Sequence, residues 1–303
     1  MKSVRLKNYG KINKDKVISF SWNNKKYQGF EGDTLASALL ANNIGVVGRS
    51  FKYHRPRGIF SSGVEESGAL VTIGSKDKRD PNIRATSQEL YDGLIARGQN
   101  AFPNVNFDLG EINNYLSRFF AVGFYYKTFM GIPPFEWGKG TTIWMLFEKL
   151  IRRAAGMGTA SRLPDPDCYE HAHDFCDVIV IGSGPSGIAA AIEAAEKKLD
   201  VILIEQDNLI GGDQLSENNF NSLINLELLK NLGIKVMTRT TAFGLYDNCV
   251  IGLLERVTDH VSNPDTKLPR QRFWTIRAKH IIVGSGALER HIAFNNNDIP
   301  GVM

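Results

Sequence analysis

Cysteine is almost missing from this chain. Three occur in 303 residues, Cys168, Cys176 and Cys249, too few and too scattered for a disulfide scaffold or for a cysteine-ligated zinc or iron–sulfur centre. That usage suits a reducing compartment, so a cytoplasmic location is expected. Long apolar runs are missing too. Nothing approaches the ~18 uncharged apolar residues of a membrane span, and the basic start MKSVRLKNYGKINKDK is followed by no signal-peptide core. An unexported protein with no membrane partner is expected. The nearest thing to a span, Phe119 to Phe135, holds Lys127 and the turn pair Pro133-Pro134 and reads as a buried or interface segment. What is present, 43% hydrophobic and 22% charged residues, excludes disorder, collagen and coiled coil and suffices for two domains.

Charge is unevenly spread. Residues 1 to 90 hold 16 Lys+Arg against 8 Asp+Glu, net +8; of the 36 and 32 in the whole chain this leaves 20 against 24, net −4. The positive residues lie in separate stretches with no nucleic-acid-binding motif, so an acidic partner or a cofactor phosphate is expected rather than DNA or RNA.

Residues 17–22 and 26–30 read as a hairpin around Asn23-Asn24. Asp33 or Thr34 then caps the run LASALLANN, with Leu35, Ala38, Leu39 and Asn42 at helical spacing and Gly45 as its end. The segment VVGRSFKYHRPRGIF carries Arg49, Lys52, His54, Arg55 and Arg57 and is expected to be an exposed, ordered loop, before a strand ALVTIG. This is the element order of a β-grasp domain of the plant-ferredoxin type, whose cluster cysteines are spaced C-x4-C-x2-C. Here SSGVEESGA puts Ser61, Glu66 and Ala69 at those places. None supplies a thiolate, so a scaffold without an Fe–S cluster is expected.

From about 91 to 172 the chain reads as a connector with one convincing helix, 141–155, carrying Ile143, Leu146, Phe147, Leu150 and Ile151 on one face. His171 and His173, read as part of a linker, are poorly placed to converge on a metal.

The chemistry lies in CDVIVIGSGPSGIAAAIEAAEKKLDVILIE, residues 176–205. A β-branched run, Val178 to Ile181, ends in Gly182, Gly184 and Gly187, the G-x-G-x-x-G of a dinucleotide site: a tight turn, close approach to a diphosphate, and close helix-to-strand packing. Pro185 suits the first helical turn, whose free amides and positive dipole end stabilise a diphosphate. Ala189, Ala190, Ala191, Ala194 and Ala195 are expected to keep that helix slim against the sheet. The second strand, VILIE, ends in Glu205, 18 residues beyond Gly187, where a carboxylate accepts ribose hydroxyls and repels a 2′-phosphate; NAD or FAD is favoured over NADP. The expected cofactor site comprises Gly182, Ser183, Gly184, Pro185, Ser186, Gly187, Glu205, Gln206, Gly212 and Gly284. No metal set, nucleophile or general base stands out. His54 and His291 come nearest, and both read as satisfied surface or interface residues. Further on, a helix at 221–232 and strands IKVMTRTTAFGLY, CVIGLLERV and RFWTIRAKHIIVGSG are expected.

The stretches GDTLASALLANN, VVGRSFKYHRPRGIFSSG, FDLGEINNYLSRFFAVGFYYKTFM, IRRAAGMG, DPDCYEHAHDFCDVIVIGSGPSG and IPGVM together resemble the alpha subunits of heterotetrameric sarcosine oxidases. HIIVGSGALER, with Val283-Gly284 and Arg290, resembles the "ATG" strand of two-dinucleotide-domain flavoproteins. The resemblance implies NAD on Gly182, Gly184, Gly187 and Glu205, with FAD at the same loop as the alternative. It implies FAD and FMN elsewhere in a complex with beta, gamma and delta subunits, which demethylates sarcosine to glycine and passes the one-carbon unit to tetrahydrofolate or releases formaldehyde, with hydrogen peroxide formed. It also implies a folate-binding half beyond Met303, so a truncated or split chain with exposed apolar surface is expected. A pure interaction remnant is the third reading. The expected fold is α/β: a β-grasp, ferredoxin-like α+β domain lacking cluster cysteines (1–90), a connector (91–172) and a Rossmann-like domain incomplete at its C-terminus (173–303).

Overall fold

The structure, a computed structural model, describes residues 4–6, 12–118, 141–154, 158–216, 226–265, 267–288, 290 and 292–302. The chain divides into two compact units, one built mainly from residues 13–165 with the tail 291–303, the other from 166–290 with 6–12. The aromatic stretch 119–135, His291 and residues 221–225 of the expected helix at 221–232 lie outside the described residues. No described helix is long and apolar enough to cross a membrane.

In the first unit, β1 (Asn13–Trp22) and β2 (Lys25–Glu31) form the expected hairpin. Asn23 and Asn24 both take positive φ, 47° and 66°, which a two-residue turn of matching twist needs and asparagine tolerates. Alternation then buries Ile18, Phe20 and Trp22 against α1 (Leu35–Ala41), whose Leu35, Ala38 and Leu39 face them. Thr34 caps α1 through a reciprocal pair of hydrogen bonds with Ser37. The helix stops at Ala41, before Gly45, because the Asn42 side chain bonds the carbonyls of Ala38 and Gln28 and Asn43 turns into the left-handed region.

After the short pair β3 (Gly48–Arg49) and β4 (Pro56–Arg57) come β5 (Leu70–Ile73), β6 (Asp80–Arg84) and β7 (Ile95–Gly98). The sheet order is β2-β1-β7-β5-β6, with β7 parallel to β1. Its central strand lies past residue 90, so the sheet draws on sequence read as connector. The short helix α2 (Ile112–Tyr115) and α3 (Thr141–Ala154) complete the unit's described helices. On α3, Phe147 and Ile151 are half-buried, as the apolar stripe requires.

The basic loop departs from expectation: most of it is tied down rather than exposed. Arg49 is buried and donates to the carbonyls of Val105 and His54, with Glu111 3.2 Å away. His54 Nδ1 lies 2.6 Å from Asp108 Oδ2, while Asp108 Oδ1 accepts from the amides of Phe102 and Gly110. Arg55 donates to Asn114, and Arg57 pairs with Asp298 of the tail. A guanidinium presents its donors in a fixed plane, and backbone carbonyls, carboxylates and the Asn114 amide oxygen inside the unit accept from these three arginines. Phe51 stays exposed at the loop's tip.

The second unit is a six-stranded sheet, β10-β9-β8-β13-β12-β11. Here β8 is Tyr169–Ile181, β9 Val201–Ile204, β10 Lys235–Met237, β11 Thr240–Tyr246, β12 Val250–Arg256 and β13 Gln271–Val283. The four strands β10, β9, β8 and β13 run parallel, and β12 and β11 are added antiparallel. Helix α4 (Pro185–Glu196) packs Ile188, Ala191 and Ala194 onto Val178, Val180, Val201 and Leu203, and Leu229 of α5 (Leu226–Asn231) joins the same core. Of the five alanines expected to face the sheet, only Ala191 and Ala194 are buried, since one helical stripe reaches it; Ala189 is exposed. Two strand expectations also change. β8 begins at Tyr169, so His171 and His173 sit on a strand rather than in a linker, paired through β13 with Phe273 and Thr275. The run IKVMTRTTAFGLY splits into β10 and β11 at Arg239, whose φ is +53°.

Candidate dinucleotide site

β8, β9 and β13 end side by side, Ile181 pairing with Ile204 on one flank and with Val283 on the other. The glycine loop leaves β8 at this carboxyl edge, where parallel sheets bind ligands. Gly182 has φ +101°, and a Cβ there would lie 2.4 Å from the Gly284 carbonyl oxygen. A Cβ on Gly187 would lie 1.9 Å from the Gly182 oxygen. Both glycines are therefore required by the protein's own packing. Gly184 is different. It caps α4 with φ −68°, open to any residue, and a Cβ there would meet nothing within 4 Å.

Glu205 is buried beside this loop. Its Oε2 accepts from the Ser183 amide at 3.0 Å and the Ser183 hydroxyl at 2.5 Å, and Oε1 accepts from the Asp207 amide at 2.9 Å. Three of its roughly four acceptor positions are used, leaving room for about one more hydrogen bond. Ser183, expected as a cofactor contact, is fully buried, and its side chain holds the carboxylate. The Gly211 amide donates to the Ser183 carbonyl oxygen, and a Cβ on Gly212 would lie 3.2 Å from Gly184 Cα, so the turn at Gly211 and Gly212 closes on the first loop. Pro185 and Ser186 are exposed at the first turn of α4. Gln206 is exposed too, its carbonyl oxygen accepting from Arg256 at 2.6 Å. Gly284 sits against Gly187, with a would-be Cβ 3.2 Å from Gly187 Cα.

These residues fit a dinucleotide. Where folding alone does not demand glycine, at Gly184, the missing side chain leaves open space at a helix N-terminus whose first amides lack internal partners. The unit offers little reactive chemistry. Burial, with Asp200, Asp174 and Asp177 nearby, pushes the Cys176 thiol up to about 12, so it is an inert core residue. His54, in the other unit, is satisfied by Asp108. No three metal-binding side chains cluster among the described residues.

Residues 177–266 match a family described as FAD dependent oxidoreductase, and residues 15–101 match one described as a 2Fe-2S iron-sulfur cluster binding domain. Sarcosine oxidase subunit alpha from Rhizobium meliloti (strain 1021) is 47% identical over 312 residues, an alignment covering 100% of this chain and 31% of the relative. The chain is a homologue of the N-terminal third of sarcosine oxidase alpha subunits. The corresponding subunit of Corynebacterium sp. (strain U-96) is 31% identical, with 97% of this chain and 26% of the relative covered. The chain thus spans about a third of the length of these curated relatives. L-proline dehydrogenase from P. horikoshii superposes with a TM-score of 0.55 at 20% identity, over 99% of this chain and 46% of that one, a likeness of fold.

The match to the cluster-binding family meets a chemical obstacle. Cys168, Cys176 and Cys249 all fall outside residues 15–101, so the matched segment holds no thiolate and its residues do not fit a [2Fe–2S] cluster.

Proposed function

We propose that this chain is the dinucleotide-binding part of an amine-oxidising subunit of the sarcosine oxidase type, with NAD on the glycine loop. The open space at Gly184, at the N-terminus of α4, carries the proposal. In this reading Gly182, Ser183, Gly184, Pro185, Ser186 and Gly187 surround the diphosphate, Glu205 and Gln206 meet the adenosine ribose, and Gly212 and Gly284 wall the loop. The bound nicotinamide supplies hydride chemistry. The chain's own residues bind and orient: helix amides hold the diphosphate charge, and Glu205, fixed by Ser183, has about one acceptor position left for a ribose hydroxyl. FAD at the same loop is the second reading, favoured by the match of residues 177–266 to a flavin-dependent family.

Oxidation of sarcosine enters the proposal through the relatives' name; the glycine product and the passing of the one-carbon unit to tetrahydrofolate, or its release as formaldehyde, enter through the sequence resemblance. So do the beta, gamma and delta subunits, their FAD and FMN, and the folate-binding half. A cytoplasmic location accords with three unpaired cysteines. The division into a β-grasp domain, a connector and a Rossmann-like domain is proposed with it. The test is to denature the purified chain, identify released dinucleotide by absorbance and mass, and titrate the stripped protein with NAD and FAD. Released NAD, or NAD binding alone, is expected; FAD selects the second reading, and binding of neither refutes both.

A further inference from the structure

The loop that carries a metal cluster in the matched family has folded here around something else. Glu66 is 2% exposed, yet it lies in the loop between β4 and β5. Its Oε2 accepts from the amides of Phe60 at 2.7 Å and Ser61 at 2.9 Å, and its Oε1 from those of Gly68 at 2.5 Å and Ala69 at 2.9 Å. All its hydrogen-bond partners among the described residues are backbone amides. Ser61, Glu66 and Ala69 are the three positions that the C-x4-C-x2-C spacing gives to cluster ligands. The amides of the first and last converge on the carboxylate of the middle one. The Ser61 hydroxyl at the first position is buried with no hydrogen-bond partner among the described residues. A Cβ on Gly68 would lie 2.7 Å from the Gly58 carbonyl oxygen, so the loop is closed tightly over this carboxylate.

Concave arrays of backbone amides bind anions, iron–sulfur clusters among them, because aligned N–H dipoles favour negative charge. A buried charge needs such compensation, and an amide array needs an acceptor. We infer that Glu66 is an internal anion that takes the place of the metal cluster: its carboxylate fills the loop's amide nest and holds the β-grasp fold closed without metal. The geometry explains how a ferredoxin-like loop keeps its shape after its thiolates are gone. It also makes a distinction that a generic buried glutamate would not, since charge and four acceptor directions both matter. Glutamine has one acceptor oxygen and one donor NH2, so two of the four amides would face a donor.

The test is amide hydrogen exchange on the 303-residue chain and its Glu66→Gln and Glu66→Ala variants, with and without sodium acetate, which restores the carboxylate that alanine removes. Strands β1, β2 and β7, in the same unit but outside the loop, serve as the internal control that each variant is folded. In Glu66→Gln the amides of residues 60–69 should lose at least about tenfold in protection, the scale of a buried donor left unpaired. Acetate should restore protection in Glu66→Ala and leave the unaltered chain and Glu66→Gln unchanged. Wild-type protection in Glu66→Gln, or no effect of acetate on a folded Glu66→Ala, would overturn the inference. If Glu66→Ala fails to fold, the Glu66→Gln comparison decides alone. Stoichiometric iron and sulfide in the unaltered chain, lost on Glu66→Gln, would overturn it too by making Glu66 a ligand.

Discussion

Two alanine substitutions three residues apart separate folding from binding at the glycine loop. Gly187→Ala puts a methyl 1.9 Å from the Gly182 carbonyl oxygen, where ordinary contact begins at 3.4 Å, so backbone must move by more than an ångström. Overpacking of this kind costs about 1–3 kcal/mol, a fall of roughly 3–15 °C in midpoint for a unit of this size. Gly184→Ala meets no protein atom within 4 Å at φ −68°. Its stability should stay within about 1 kcal/mol of the parent, since replacing Gly at a compatible position tightens the unfolded chain while alanine is a poorer N-cap. Its methyl instead occupies the room for the diphosphate, and dinucleotide affinity should fall by roughly 10- to 100-fold, the equivalent of about 1.4–3 kcal/mol. Thermal denaturation read by circular dichroism, with calorimetric titration of NAD and FAD, measures both. A Gly184→Ala chain that binds either dinucleotide as tightly as the parent would refute the assignment of the open space.

Glu205→Ala strips the acceptor from the Ser183 amide, the Ser183 hydroxyl and the Asp207 amide, and should lower stability by roughly 2–4 kcal/mol, with a denaturant midpoint as the measure. A thiol reagent at neutral pH should label Cys168 and Cys249 rapidly and Cys176 only after unfolding; fast labelling of three thiols in the native protein would contradict the buried, raised thiol. The Asp177 carboxyl lies below its usual value, chiefly because the Asp200 amide donates to it and then because Lys279 does, so the folded form favours its charged state. Its contribution is full above the ordinary carboxylate range and fades as pH falls through the lowered value. Denaturant midpoints of the parent should therefore drop below the usual carboxylate pKa more steeply than those of Asp177→Asn.

Legibility in the sequence followed the range of the interactions. The β1–β2 turn and the start of α1 were readable because Asn-Asn and a capping Asp33 or Thr34 act within a few residues, and the structure selects Thr34. The loop Gly182 to Gly187 and Glu205 were readable because strand, turn, helix and acid follow at fixed intervals. The tail of β8 was not: Glu170, His171 and His173 look like a polar linker, and only pairing with Arg272, Phe273 and Thr275, about 100 residues away, makes them a strand. The basic loop misled for the same reason. Its charges are visible, while Val105, Asp108 and Glu111, which take Arg49 and His54 inside, are distant in sequence.

By itself the sequence determined the absence of thiolates from the ferredoxin-like loop, the glycine spacing of the nucleotide turn, and the homology that places both units. These are matters of composition and local order. Tertiary structure alone decided which glycine is free to face a ligand, that Ser183 holds Glu205, and that Glu66 gathers four amides where a cluster would lie. Each of these depends on which backbone groups meet across a fold, and no pattern along one chain specifies that.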